Sequence, residues 1–276
     1  MQAIDRHLAE DMVTLRSLAH EAGQLALSYR QDGQSARMWK KTGGSPVTEA
    51  DIAVNALCSS RLKAARPDYG WLSEETLDNA DNRQKQLCWV VDPIDGTRAY
   101  MRDDPNWCIA LALLEESRAI AGVLYAPAQN RLYEAWHGGG AFLNGESIRV
   151  SRCAAEEGCR LITNEGMLSH SAWPEPWPDL TVARPKPNST LLRMALVASG
   201  EWDATLTLSN KADWDLAAGT VLVEEAGGLV TTHKGEPMLF NRDIPAQRSV
   251  IAAGIALHPL LMRRTEFVDI PDPQVA

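Results

Sequence analysis

The segment Trp89-Val90-Val91-Asp92-Pro93-Ile94-Asp95-Gly96-Thr97 constrains this chain more than any other stretch. Leu87 to Val91 is a short apolar run, the pattern of a buried strand, and it ends in the turn-forming pair Asp92-Pro93. The turn brings Asp95 back beside Asp92. Two carboxylates held that close repel each other and stay ionised only with a cation between them. Gly96 has no side chain, so the amides of Gly96 and Thr97 can approach a ligand oxygen closely. Acceptors for a hard metal and donors for a phosphate therefore lie side by side. Taken alone, the string equally fits an Asp-Pro turn whose carboxylates cap backbone amides. A calcium loop fits less well, because the D-x-D-x-D-G spacing with a distal Glu is missing.

Two further acidic positions change that balance. Tyr69 to Leu72 reads as a strand ending in Ser73-Glu74-Glu75, a second acidic pair at a strand end. Trp214-Asp215-Leu216-Ala217-Ala218-Gly219 puts Asp215 in the first turn of a helix, and the small residues behind it predict close packing. Around these motifs, Ile4, Leu8, Met12, Leu15, Leu18, Ala22, Leu25 and Tyr29 recur at steps of three and four, one stripe of an amphipathic helix. A loop with Lys40, Lys41, Gly43, Gly44, Ser45 and Pro46 follows. Thr48 then reads as the N-cap of a helix running toward Ala65, with Asp51 in the capping-box position. Trp107 to Leu114, Ala119 to Tyr125 and Arg131 to Trp136 read as an antiparallel meander. After the prolines at 174, 176, 178, 185 and 187, helices at Thr190 to Ser199 and Asp215 to Ala226 alternate with apolar strands at Leu229 to Thr231 and Ser249 to Ala253. The expected class is α/β in the broad α+β sense: an N-terminal α+β domain, 1–155, with most of the acidic ligands, and a C-terminal α/β domain, 156–276, contributing Asp215.

Charge narrows the partners. The 276 residues carry a formal net charge of −9, which opposes nucleic-acid polymers and anionic lipid. A small anionic substrate fits if the protein holds cations locally. The five cysteines form no CxxC pair, so neither a disulfide framework nor a zinc knuckle is expected, and buried thiols in a reducing compartment fit better. Charged residues at the N-terminus and the lack of a membrane-length apolar run make the cytoplasm the expected location.

Three motifs taken in order resemble those of the inositol monophosphatase family, the lithium-sensitive, magnesium-dependent phosphatases. They are Leu72-Ser73-Glu74-Glu75-Thr76, Asp92-Pro93-Ile94-Asp95-Gly96-Thr97, and Trp214-Asp215-Leu216-Ala217-Ala218-Gly219 through Glu225-Ala226-Gly227-Gly228. The resemblance extends to Ser45-Pro46-Val47-Thr48-Glu49-Ala50-Asp51 and to residues 138–145. It implies a layered αβαβα sandwich and two or three Mg²⁺ per active site. Glu74, Asp92 and the Ile94 carbonyl would hold one ion, and Asp92, Asp95 and Asp215 another. Glu74, Thr97 and Asp51 would position and deprotonate the attacking water. Gly96, Thr97, Ser189, Thr190 and Lys211 would face the substrate, a small phosphate ester. Homodimers are common in the family.

Two departures bear on substrate. Ser73 stands where the family usually has Gly. Inositol-specific members carry a Glu about seven residues before the Asp of the third motif, whereas this chain has Thr205-Leu206-Thr207-Leu208-Ser209. Inositol hydroxyls would go unpaired there. The segment from Ser209 to Asp215 is more similar to bacterial 3′(2′),5′-bisphosphate nucleotidases, and Lys211 or Lys186 could meet a second phosphate. The competing expectations are an inositol-1-monophosphatase of broad specificity and a non-catalytic metal- or phosphate-binding module.

Overall fold

The apolar stripe of the first 30 residues forms the inner face of a long helix, α1 (Gln2–Gln31), which buries Leu8, Met12, Leu15, Leu18 and Ala22. The structure, a computed structural model, describes residues 2–31, 37–40, 46–169, 173 and 175–273. The expected lysine- and glycine-bearing loop lies mostly outside them, between β1 (Met38–Lys40) and its antiparallel partner β2 (Pro46–Thr48). Helix α2 (Glu49–Ala65) starts as expected. The Thr48 amide donates to the Asp51 carboxylate at 2.8 Å while the Asp51 amide donates to the Thr48 hydroxyl at 3.4 Å, a reciprocal cap.

The first sheet has seven strands in chain order: β3 (Gly70–Ser73), β4 (Leu87–Asp95), β5 (Cys108–Glu115), β6 (Arg118–Ala126), β7 (Arg131–Trp136), β8 (Gly140–Leu143) and β9 (Glu146–Ser147). Two short helices interrupt it, α3 (Ala80–Arg83) and α4 (Thr97–Tyr100). The meander is antiparallel from β4 onward, and β3 adds a parallel edge to it. The second half contains β10 (Arg160–Ile162), α5 (Glu165–Leu168), β11 (Thr181–Val182), α6 (Thr190–Ala198), β12 (Ala204–Thr207) and β13 (Lys211–Ala212). It continues with α7 (Ala217–Glu225), β14 (Gly228–Thr231), β15 (Ala246–Gln247), β16 (Val250–Gly254) and α8 (His258–Thr265). Five of these strands make a mixed sheet in the order β11-β10-β12-β16-β14.

Side-chain alternation stacks these parts into layers. On β4, Trp89 and Val91 point into the core shared with α1 and α2, while Cys88 and Val90 point toward α6 and α7. Ala252 and Val250 of β16 close the far side of α6 and α7, and Ile251 and Ala253 face Leu257 and Leu261 at α8. The sequence of layers is therefore helix, sheet, helix, sheet, helix. The close packing expected around Ala218 is present: a Cβ built on Gly122 of β6 would lie 2.7 Å from the Ala218 carbonyl oxygen. The junction at residues 155 and 156 falls between β9 and β10, and the central core draws residues from both sides of it.

Candidate metal centre

In a regular strand, residues three apart point to opposite faces, so Asp92 and Asp95 should not meet. The pairing of β4 with β5 supplies the correction. Asp92 faces Ala110 and Asp95 faces Cys108, so three steps on β4 oppose two on β5, and one extra residue is bulged out at Pro93-Ile94. Proline, with no amide hydrogen to lose from the ladder, suits that position. The bulge inverts the parity: Ile94 drops into the core beside Trp89 and Val91, and Asp95 joins Asp92 on the side of α6. The expected turn at Asp92-Pro93 is thus a bulge inside a longer strand, with the same consequence for the two carboxylates.

Asp215 completes the cluster. It ends a 3₁₀ turn, Asp213–Asp215, directly before α7 rather than lying in the first turn of that helix, because its carboxylate accepts from the Ala212 amide at 3.1 Å and holds the entry turn tight. One carboxylate oxygen from each of Asp92, Asp95 and Asp215 lies within 4.8 Å of the others. These three residues, with Glu74, Ile94, Gly96, Thr97, Pro46, Arg98 and Asn188, line a cleft of about 160 Å³.

The electrostatics of this cleft ask for a cation. Asp92 is buried, and desolvation followed by the charges of Glu74, Asp95 and Asp215 pushes its carboxyl well above the ordinary range. Asp95 is pushed up to about 6, by burial and then by Asp215, against the hydrogen bonds from Ser189 and Leu191 and the charge of Lys211. Every side-chain donor in the lining is oxygen except the Asn188 amide and Arg98, and neither His nor Cys is present. Such a donor set suits Mg²⁺ rather than zinc or copper. The residues present therefore fit the metal that the motifs imply.

The other expected residues fall into place around this cluster. Glu74 follows the last residue of β3, and its amide donates to the Val91 carbonyl at 3.3 Å, which sets the Glu74 backbone against β4. Ser73, in place of the usual glycine, donates to Asn55 Oδ1 at 2.7 Å and ties that turn to α2. The Thr97 hydroxyl lies 3.2 Å from both the Asp51 carboxylate and the Ile94 carbonyl, so its single proton serves one of them at a time. Burial raises the Asp51 carboxyl, partly offset by bonds from Thr48 and Thr97. Gly96 adopts φ +100°, and a Cβ there would press within 3.0 Å of the Asn106 carbonyl oxygen.

Ser189 and Thr190 support the cluster from behind. The Ser189 hydroxyl donates to Asp95 at 2.6 Å and accepts from the Leu192 amide at 2.9 Å, while the amides of Thr190 and Leu191 donate to the same carboxylate. Lys211 is not among the residues lining the cleft. It borders a neighbouring pocket with Lys186 and Arg193. His137 lies 3.7 Å from Glu225, and the buried Cys108 thiol lies 3.7 Å from the Ser189 hydroxyl. Asn188, Arg98 and Arg193 were not foreseen. For Arg193 a signal existed: it is the one charged residue in the apolar run of α6.

Comparison with known proteins bears on this geometry. The sequence profile of the inositol monophosphatase family matches residues 7–269. The chain belongs to the inositol monophosphatase family. An inositol-1-monophosphatase of Mesorhizobium japonicum is 32% identical over 245 residues, covering 86% of this chain and 88% of the relative. A 3′(2′),5′-bisphosphate nucleotidase, CysQ, of Aggregatibacter actinomycetemcomitans is 26% identical over 261 residues, 88% of this chain and 90% of the relative. The structure of an IMPase from Thermotoga maritima superposes with a TM-score of 0.77 at 29% identity, covering 96% of this chain and 97% of that one. Family membership makes a phosphatase fold and a small phosphorylated substrate the frame for the site. Among the described residues no helix is long and apolar enough to cross a membrane.

Proposed function

We propose that the chain is a Mg²⁺-dependent phosphomonoesterase acting on a 3′(2′),5′-bisphosphate nucleotide such as 3′-phosphoadenosine 5′-phosphate. The observation that carries the phosphatase reading is the triad of buried Asp92 and Asp95 with half-buried Asp215 beside the Gly96-Thr97 turn. The triad, Glu74 and the Ile94 carbonyl would hold two or three magnesium ions. When bound, those ions supply positive charge to the phosphoryl oxygens and acidify a water molecule. The carbonyl oxygen of Ile94 keeps a lone pair for a cation while it accepts from Thr97.

The protein's own residues do the rest. Glu74 and the Thr97 hydroxyl orient a water for in-line attack on phosphorus. Its proton passes to Glu74 or through Thr97 to Asp51, whose carboxylate lies 3.2 Å from the Thr97 hydroxyl and accepts its proton when the hydroxyl turns from Ile94. The P–O bond to the leaving oxygen breaks as the new P–O bond forms, and the departing alkoxide takes a proton from solvent water to leave as the alcohol. The amides of Gly96 and Thr97 take the charge developing on a phosphate oxygen. In this reading Lys211 meets the substrate directly, whereas Ser189 and Thr190 act through Asp95.

The nucleotide is favoured over inositol phosphate by the absence of an acid from residues 205–209. The relatives' names support both substrates, and the inositol-1-monophosphatase reading rests on the higher identity of that relative. Phosphate release from 3′-phosphoadenosine 5′-phosphate and from inositol 1-phosphate, measured side by side with Mg²⁺ and with Asp92→Asn as the blank, tests the proposal. Preference for the nucleotide is expected. Preference for inositol 1-phosphate would keep the mechanism and overturn the substrate, and a blank as active as the parent would overturn the site.

A further inference from the structure

The metal centre is shared between two halves of the chain. Asp92 and Asp95 sit on β4 and Glu74 follows β3, whereas Asp215 is delivered by the turn before α7. Carboxylates that repel one another drift apart unless the elements carrying them are fixed. Ser189 fixes Asp95. For Asp215 the fold contains a longer tie, built from Arg83, Asn241, Asp213 and Gln247, and none of these four lines the cleft.

Arg83 ends α3 and is only 1% exposed. A charge taken out of water in this way persists only with its donors satisfied. Its Nε donates to Asp78 at 2.6 Å. One terminal nitrogen donates to the carbonyls of Asn241 and Arg242, at 3.3 and 2.9 Å, and to Asn241 Oδ1 at 3.1 Å. The other donates to the Asp243 carbonyl at 2.9 Å, and the Asn241 side-chain amide returns a bond to the Arg83 carbonyl at 2.8 Å. Helix α3 is itself pressed on the first sheet. A Cβ built on Gly70, where β3 begins, would lie 2.8 Å from the Arg83 carbonyl oxygen. Arg83 thus fastens the segment between β14 and β15 to the β3 edge of that sheet.

The same segment grips the turn that carries Asp215. Asn241 adopts φ +56°, and its backbone amide donates to the Asp213 carboxylate at 2.6 Å. The Gln247 side-chain amide donates to the other oxygen of that carboxylate at 2.9 Å and to the Leu239 carbonyl at 2.7 Å. Backbone bonds reinforce the grip: the Asp213 amide donates to the Pro245 carbonyl at 2.9 Å, and β15 pairs with β13. Asp213 and Gln247 are buried, so water does not compete for these bonds. The Asp213 carbonyl accepts the Leu216 amide at 3.1 Å, which closes the turn around Asp215. We propose that Arg83, Asn241, Asp213 and Gln247 form a strut that positions Asp215 against Asp92 and Asp95, so that metal affinity depends on contacts made outside the cleft. These are positioning residues, acting through Asp215. The inference rests on the metal-dependent reading of the cleft and names the part of the fold that sets its ligand spacing.

The test uses Asn241→Gly and Gln247→Met in the full chain. Glycine tolerates the left-handed backbone and keeps the amide bond to Asp213, but it deletes both side-chain bonds to Arg83. Methionine keeps the length of Gln247 and deletes its bonds to Asp213 and Leu239. Leu261→Ala is the control, a large-to-small change in a core cluster that contains no metal ligand. Mn²⁺ is the probe ion, its free concentration read by electron paramagnetic resonance, and melting temperatures are recorded in EDTA. Each strut variant should raise the Mn²⁺ dissociation constant about tenfold, as loss of groups that orient metal ligands does. The control should leave that constant unchanged at an equal or greater loss of stability. Hydrogen exchange in EDTA, read by mass spectrometry on peptides spanning 211–217, should quicken in both strut variants relative to peptides of β5. An unchanged dissociation constant, or an equal rise in the control, overturns the strut. If the parent binds no Mn²⁺, the metal reading fails separately and exchange decides: quickened exchange upholds the hold on the turn, and unchanged exchange overturns it.

Discussion

At the scale of single residues, the metal cluster is a local instability that a cation would reverse. Asp92 is buried among acids whose charges raise its carboxyl, so its ionised form disfavours the metal-free fold at neutral pH. Asp92→Asn removes that repulsion and removes a ligand. We therefore expect a higher melting temperature than the parent in EDTA and a smaller gain on adding Mg²⁺, both read by thermal denaturation. A variant less stable than the parent in EDTA would contradict this account. Ser189 makes a different prediction, because its hydroxyl donates to Asp95 at 2.6 Å and receives the Leu192 amide. Ser189→Ala leaves every ligand in place but loosens one of them, which typically costs about 10–100-fold in metal affinity or activity. Titrating activity with Mg²⁺ should show the midpoint moved to higher concentration, and an unmoved midpoint would leave Ser189 as a cap of α6 only.

At the scale of elements, the sequence reading succeeded where period and chemistry agreed. The stripe of α1, the Thr48 cap, the meander and the small residues at Ala217-Ala218-Gly219 all carry their signal locally, and the structure returns each with boundaries shifted by a few residues. Asp92 and Asp95 were readable as neighbours. The bulge that makes them so was not, because register depends on the partner strand β5, and Pro93, the one trace of it within β4, equally fits a turn. Arg193 left one trace, a single charge in the apolar run of α6, but its partners at 187, 188 and 207 meet it only in the folded chain. Packing of α7 on β6 gives the prediction at this scale. Gly122→Val would drive its side chain into the Ala218 backbone, 2.7 Å from the carbonyl oxygen, and backbone cannot swing aside. Overpacking of this kind costs roughly 1–3 kcal/mol and would displace α7, just ahead of which lies Asp215. Chemical denaturation should register the loss, and activity should fall further than stability alone explains. A variant as stable as the parent would mean that α7 and β6 do not sit this close.

For the whole molecule, acidity and metal act on the same buried groups. Asp11, Asp51, Asp92, Asp95, Asp213 and Glu224 all have carboxyls raised above their ordinary values, each chiefly by burial, with Asp95 and Asp213 at about 6. A carboxyl raised by folding binds protons more readily in the native state, so its contribution is present at low pH and is lost as pH rises through the folded value. His233 and His258 work in the opposite sense. Burial lowers both, so their neutral forms are kept in the fold and stability falls as pH drops below the ordinary imidazole range near 6.5. Within this interval Asp95 and Asp213, at about 6, and the strongly raised Asp92 act one way, and the two histidines act the other. In EDTA the melting temperature should therefore rise as pH is lowered from 7.5 toward 5.5. With saturating Mg²⁺ the trend should flatten or reverse, because the ions require ionised carboxylates and protons compete with them. Melting curves at fixed ionic strength, with and without Mg²⁺, provide the comparison. Parallel curves would mean that the acidic cluster is not where the metal acts, whereas curves that diverge toward neutral pH would tie metal binding to the groups whose repulsion the empty site leaves uncompensated.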